Sequence, residues 1–167
     1  MTVEFPTRFK SRLATALLIL RLSLGLFLLL WALEKFILPQ TTQQIWSGFY
    51  KIPISGAIVT ILAVLQTLLA IALLVGFLRS ITYGIALGIN AVTFISTWRQ
   101  LLDPWGLASG QPTNHLFLAG IPVLAGFIAL YILHPWDIWS VDDWLKKRRT
   151  RNLPDEPREP LDVVHHE

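Results

Sequence analysis

One apolar run near the start of the chain constrains what the rest can fold into. Residues 13–38, LATALLILRLSLGLFLLLWALEKFIL, are almost entirely apolar, with Arg21 in the middle and the pair Glu34 and Lys35 near the end. A helix needs ~20 residues to cross a ~30 Å hydrocarbon core, and a soluble helix of this composition would have no polar face. We therefore predict a membrane span. Arg21 would lie ~12 Å deep, where a cation facing lipid costs at least ~2.5 kcal/mol, so the protein itself must receive it.

The remaining apolar runs predict three further spans. Hydrophobic residues make up 53% of the 167 residues and charged residues 15%, and the mean hydropathy of +0.54 is too high for a water-soluble globule. The fold class predicted is all-α, an integral membrane four-helix bundle. Its transmembrane domain covers residues 13–145, with spans at about 13–38, 55–77, 80–98 and 115–133 and a short interfacial helix at 136–145. A basic segment, 1–12, precedes this domain, and a basic and then disordered tail, 146–167, follows it.

The distribution of positive charge predicts the orientation. Nine of the 14 lysines and arginines lie in residues 1–12, in residues 146–151 or in the turn between spans two and three: Arg8, Lys10, Arg12, Arg79, Lys146, Lys147, Arg148, Arg149 and Arg151. The positive-inside rule then places both termini in the cytoplasm. The predicted location is a bacterial-type cytoplasmic (inner) membrane, crossed several times.

Three strongly polar side chains fall at similar predicted depths in spans one, two and three. Gln66 and Asn90 each lie ~15 Å deep, and both can offer a carbonyl oxygen to the guanidinium of Arg21, which has five donors and no acceptor. We predict a buried cluster of Arg21, Gln66 and Asn90. It would either hold helices together or bind a ligand such as a quinone headgroup; the third interpretation is that Arg21 snorkels to the inner interface.

Other residues are predicted to pack helices or to anchor the bundle in the interface. Small residues that allow close backbone approach are Gly25, Gly84 and Gly88. Predicted interface anchors are Lys35, Trp31, Trp98, Trp136 and Trp139.

The sequence lacks the residues that several classes of site require. The chain has no cysteine, which excludes disulfides and cysteine-ligated metals. His115 and His134 lie at opposite ends of span four, ~28 Å apart, and His165 and His166 lie in the tail, so haem and metal sites are not expected. The charged flanks lack the interleaved aromatic residues of a nucleic-acid surface. No catalytic residue can be named, no covalently bound cofactor is expected, and quinone is the one cofactor class that the pattern admits.

Short motifs across residues 17–145 resemble the DoxX-like (DoxX/DoxD) family of small four-span membrane proteins. The motifs lie in span one, in the turn between spans two and three, and after span four: Arg21, Gly25 and Lys35; Gly76 and Arg79; Ser140 and Asp142. The resemblance implies a four-helix bundle associated with respiratory or sulfur redox enzymes, including a subunit of thiosulfate:quinone oxidoreductase.

Three functions follow from these observations, in order of preference. The first is a non-catalytic accessory subunit of a larger membrane redox or respiratory complex. The second is a quinone-linked oxidoreductase component that binds a quinone near Arg21, and the third is a small-solute transporter. Expected partners are membrane lipids and either larger complex subunits or further copies of the chain; nucleic acid is not an expected partner.

Overall fold

The computed structural model describes residues 6–108 and 115–151, and every regular element in these ranges is helical. The helices are α1 (Thr7–Ile37), α2 (Pro39–Ile45), α3 (Gly56–Val75), α4 (Arg79–Ser96), α5 (Trp98–Leu102), α6 (Gly120–Ile132) and α7 (Val141–Arg151). A π-helical turn (Trp46–Tyr50) follows α2, and 3-10 turns (His115–Ala119 and His134–Trp136) flank α6. The all-α fold class is confirmed for these residues. The predicted tail beyond residue 151, with His165 and His166, lies outside them.

Two of these helices, α1 and α3, are long and apolar enough to cross a membrane, as judged by length and composition. The apolar helical stretch Leu116–Ile132 is shorter. Helix α3 has clear boundaries: the Ser55 hydroxyl accepts a hydrogen bond from the Ile58 amide (3.5 Å) at its start, and Gly76 adopts a left-handed conformation after its end. Serine is favoured just before a helix because its hydroxyl can accept from a free amide, and glycine is favoured just after a helix because it readily adopts a left-handed conformation.

Two segments differ from the sequence-based prediction. The stretch 39–54, which lies between the predicted spans one and two, contains α2 and the π-helical turn, because Pro39 can occupy the first turn of a helix without losing a hydrogen bond. The interfacial helix predicted at 136–145 begins instead at Val141 and continues to Arg151. Residues 137–140 are not helical, since their polar groups bond to other parts of the bundle.

Four helices surround a common core. Helix α1 packs along α3, α3 contacts α4, α4 packs along α6, and α6 also contacts α1. Large or close-packed side chains from all four helices form this core: Leu17, Leu24, Leu28, Ala70, Leu73, Tyr83, Ala86, Phe127 and Leu130. The bundle therefore buries one face of each helix and leaves the others outside.

The outward faces of the helices are themselves apolar. Ile19 in α1, Ile61 in α3, Ile95 in α4 and Ile132 in α6 are each about 60% exposed or more, and many other large apolar side chains share this property. Soluble monomers rarely expose contiguous apolar surface of this extent. Larger exposed apolar patches of this kind mark binding sites for proteins or membranes.

Candidate functional site

A tight turn joins α3 to α4 and forms one wall of the site. Gly76 has a φ of 70°, the Phe77 amide donates to the Ala72 carbonyl (2.9 Å), and the Gly76 amide donates to the Leu73 carbonyl (3.1 Å). This pairing is the Schellman pattern that ends helices at glycine. Leu78, with a φ of 48°, then reverses the chain. The turn leaves the first amides of α4 without a partner in their own helix.

Asp142, in the first turn of α7, supplies the missing acceptor. Its carboxylate accepts hydrogen bonds from the Leu78 amide (2.9 Å) and the Arg79 amide (2.8 Å), and it lies 3.6 Å from Nε of Arg79. In return, the Asp142 amide donates to the Gly76 carbonyl (3.3 Å). A carboxylate at a helix N-terminus is favourable because it faces unpaired amides and the positive end of the helix dipole. Helix α4 is thus capped by a residue 63 positions later in the chain.

Arg21 enters this end of the bundle from α1 and is almost completely buried, with 3% of its surface exposed. Its Nη1 donates to Oδ2 of Asp137 (2.7 Å), and its Nη2 donates to the Trp139 carbonyl (2.6 Å). A Cβ atom at Gly76 would lie 2.6 Å from Nη1. Arg21 is therefore level with the α3–α4 turn, and the glycine at position 76 leaves the space that its guanidinium fills.

Asp137 is the fully buried counter-ion of Arg21. Its Oδ2 also accepts a hydrogen bond from the Tyr83 hydroxyl (2.6 Å), and Tyr83 is itself fully buried. Arg79 donates to the backbone carbonyls of His134 (3.1 Å) and Asp137. Burying an ion pair is favourable only with good geometry and further hydrogen bonds, and the short contacts of Oδ2 to Arg21 and Tyr83 supply part of what that condition requires.

Ser140 connects this pair to α7. Its hydroxyl donates to the Asp137 carbonyl (3.1 Å) and accepts from the Asp143 amide (3.3 Å), so that it caps the start of α7. We refer to the six connected residues as the polar network: Arg21, Arg79, Tyr83, Asp137, Ser140 and Asp142. The network joins α1, the α3–α4 turn, α4 and the segment after α6 at one end of the bundle.

The chemistry that the polar network can perform is limited, because most of its polar atoms are bonded within the protein and shielded from solvent. Both Nη atoms of Arg21 and the Oδ2 atom of Asp137 are engaged within the protein, and both side chains are shielded from solvent. Nε of Arg21 and Oδ1 of Asp137 are buried and find no partner within the described part of the chain. Within the same residues, no group of three histidine, cysteine or acidic side chains could hold a metal ion. The arrangement is suited to locking elements together.

The structure corrects the predicted cluster of Arg21, Gln66 and Asn90. The side-chain amide of Gln66 donates to the Leu28 carbonyl (3.3 Å), and that of Asn90 donates to the Ala86 carbonyl (2.8 Å) in its own helix. The protein does receive Arg21, but through Asp137. The predicted depth of Arg21 was wrong because it was counted from residue 13 along a single helix. Packing between helices instead places Arg21 level with Gly76. Gly76 lies 10 residues, or ~15 Å, from Gln66 along α3.

The glycines predicted to mediate packing behave differently from one another. A Cβ atom at Gly25 would lie 2.6 Å from Leu74, and one at Gly84 would lie 3.3 Å from the ring of Tyr131. Gly88 has open space where its Cβ would be, so it approaches no neighbouring helix among the described residues and its packing role stays a prediction. The Leu74 side chain of α3 packs directly against the backbone of Gly25 in α1, where a larger residue would clash with it.

The predicted interface anchors lie towards the outside of the molecule. Trp31, Trp98, Trp136 and Trp139 are between 38% and 60% exposed. The Lys35 ammonium donates to the Trp31 carbonyl (2.9 Å), one helical turn earlier. Their role at a membrane interface stays a prediction.

Asp137 and Tyr83 are the functional residues that the sequence-based prediction missed. A signal for Asp137 was available: a buried arginine calls for a carboxylate, and Asp137 is the first acid after the fourth apolar run. Tyr83 carried no comparable signal, because an aromatic residue near the start of a span is equally typical of a membrane interface.

Two concave sites lie apart from the polar network. One, of about 410 Å³, includes Phe49, Lys51, Trp98 and Arg99 in its lining. The other, of about 460 Å³, is lined by Trp144, Lys147, Arg148 and Arg151 of α7. Both combine cationic and aromatic side chains.

Comparison with protein-family models, with curated proteins and with solved structures gave no match to this chain.

Proposed function

We propose that this chain is a DoxX-like integral membrane protein that acts as a non-catalytic accessory subunit of a larger membrane redox or respiratory complex. The observation that carries the proposal is the convergence of the motif residues. Five of the residues on which the resemblance rests, distant in sequence, meet at one end of the bundle: Arg21, Gly76, Arg79, Ser140 and Asp142. Motif residues that contact one another in this way support an architecture shared with the DoxX-like family. Their polar groups then serve to stabilise the fold.

The same proposal includes four crossings with both termini in the cytoplasm. The α3–α4 turn and the start of α7 lie at one end of the bundle, where Asp142 contacts Leu78 and Arg79. Basic residues of α7 and Arg79 collect at this end, whereas Lys35, Lys51 and Arg99 belong to segments away from it. This charge asymmetry is typical of a cytoplasmic face.

The apolar outer faces of the helices support a role in assembly. In a bilayer these faces meet lipid or the helices of another subunit, and association depends on shape and close packing rather than on hydrophobicity. A larger redox subunit, or a second copy of the chain, would bind through such a face. A quinone-linked role would require a donor other than the two Nη atoms of Arg21, since both are engaged.

Purification in mild detergent, with mass spectrometry of both proteins and extracted lipids, tests this proposal. We expect the tagged chain to bring down larger membrane subunits in fixed stoichiometry. A Gly76→Ala variant, which disrupts the polar network, is the control for dependence on the folded bundle. Recovery of the chain with stoichiometric quinone and without protein partners would favour the quinone-linked alternative. Recovery as a monomer with neither would contradict both.

A further inference from the structure

Helix α7 carries a basic and aromatic face that the polar network does not use. With about 100° between successive residues of a helix, Trp144, Lys147, Arg148 and Arg151 lie within an arc of about 100°. Each is exposed, and together they line the concave site of about 460 Å³. The guanidinium of Arg148 lies 5.2 Å from the centre of the Trp144 ring. We call these four residues the α7 basic face.

The acids of α7 pair with only one of the three cations of this face. Asp142 is committed to the amides of Leu78 and Arg79, and Asp143 pairs with Lys147 (2.8 Å). Arg148 and Arg151 have no acidic partner on α7, and the Lys147 side chain remains 73% exposed. A face of this kind attracts phosphate groups.

The position of the α7 basic face indicates which kind of molecule carries the phosphate group that the face attracts. The contacts of Ser140 and Asp142 fix the start of α7 against the α3–α4 turn, so the helix begins where the apolar bundle ends. Exposed apolar side chains surround that start, among them Ile138 (47%), Trp139 (60%) and Leu145 (43%). Basic helices flanked by exposed tryptophan and aliphatic side chains are typical of the boundary between headgroups and acyl chains.

From these observations we infer that the α7 basic face is a binding site for the phosphate headgroups of anionic phospholipids in the leaflet next to the α3–α4 turn. The inference rests on the membrane placement in the proposed function, but not on the accessory role. Arg148 and Arg151 bind the phosphate, Lys147 supplies further positive charge, and Trp144 lies at the level of the glycerol backbone. The polar network holds α7 in place for this contact.

Native mass spectrometry of the full chain in mild detergent tests the inference. Phosphatidylglycerol is titrated against the protein, with phosphatidylcholine of the same acyl chains as the neutral comparison. We expect tighter binding of phosphatidylglycerol, and a loss on the order of 10- to 30-fold in the double variant Arg148→Gln/Arg151→Gln, because two cations near the headgroups are removed. Inorganic phosphate at the same concentration should not displace the lipid, and displacement would overturn the choice of a lipid ligand.

The chain offers a charge-matched control on the same helix. Lys146 and Arg149 lie about 140–200° around α7 from Trp144, so Lys146→Gln/Arg149→Gln removes the same charge from the opposite side. This variant should retain phosphatidylglycerol binding. Equal losses in both double variants, or equal binding of the two lipids, would overturn the inference.

Separate measurements keep the inference and the proposed function apart. Carbonate extraction of the chain from liposomes would show failure of the membrane placement itself. Loss of co-purified subunits in Arg148→Gln/Arg151→Gln, with lipid binding unchanged, would assign the α7 basic face to a protein partner and overturn the lipid site.

Discussion

Arg21 shows how a single charge organises this end of the molecule. Its guanidinium is buried, and the carboxylate that neutralises it lies 116 positions away in sequence. Removing one member of a buried ion pair leaves an uncompensated charge, whereas removing both can be nearly neutral. The pair therefore makes α1 and the segment after α6 depend on each other.

We expect Arg21→Leu and Asp137→Asn each to lower the free energy of unfolding by about 3–5 kcal/mol. The double variant Arg21→Leu/Asp137→Asn should recover most of that loss, because no buried charge remains and the asparagine oxygen can still accept from the Tyr83 hydroxyl. Unfolding in mild detergent, followed by circular dichroism, measures both effects. Gln66→Leu is the control and should cost only about 0.6 kcal/mol, the average for an interhelical hydrogen bond. A larger effect at Gln66 than at Asp137 would contradict the pairing.

Gly76 is the second residue on which the network depends. Its left-handed φ of 70° would cost an L side chain about 1–2 kcal/mol, and a Cβ atom would lie 2.6 Å from both Nη1 of Arg21 and Cβ of Ser140. Gly76→Ala should therefore destabilise the fold by more than the backbone term alone. Gly88→Ala is the matched control: it lies within α4 facing open space, and alanine should stabilise the helix there by about 0.5–1 kcal/mol. Similar melting temperatures for the two variants would refute this distinction.

At the scale of elements, α4 and α7 form a reciprocal pair. Helix α4 has no capping side chain of its own, and Asp142 of α7 accepts from its first amides. The Gly76 carbonyl, just before α4, in turn accepts from the Asp142 amide. Each element therefore satisfies backbone groups of the other.

Asp142→Ala should weaken the start of α4 by about 0.5–2 kcal/mol, the usual cost of losing a cap. Hydrogen exchange should report faster exchange at the amides of Leu78 and Arg79. Asp143→Ala is the comparison, since Asp143 pairs with a largely exposed lysine and such pairs contribute ~0–1 kcal/mol. Unchanged exchange at residues 78 and 79 in Asp142→Ala would show that the cap is dispensable.

At the scale of the whole molecule, the proposed topology can be tested with introduced cysteines, because the chain has none of its own. Ser47 follows α2 and Thr150 lies near the end of α7, and both are exposed. In intact cells, a membrane-impermeant maleimide should label Ser47→Cys, and it should label Thr150→Cys only after permeabilisation. Labelling of both from the same side would rule out the proposed arrangement of four crossings.

The sequence by itself determined the helical class, the approximate bounds of α1, α3 and α4, and the need to bury Arg21. These are local properties: the length of an apolar run, a serine before a helix, a glycine after it, and the cost of a cation in an apolar setting. They are readable without knowing what the helices touch.

Only the tertiary structure decided which group receives Arg21. The relative heights of neighbouring helices depend on how their side chains pack and on the geometry of the turn at Gly76–Leu78. Counting residues along one helix gives no information about either. Packing places Arg21 level with Gly76, which is 10 residues from Gln66 along α3, and next to Asp137, in a segment between α6 and α7 that has no helical periodicity. Packing between distant segments decides which acid pairs with Arg21, and for this reason only the tertiary structure identified Asp137, 116 positions away in sequence.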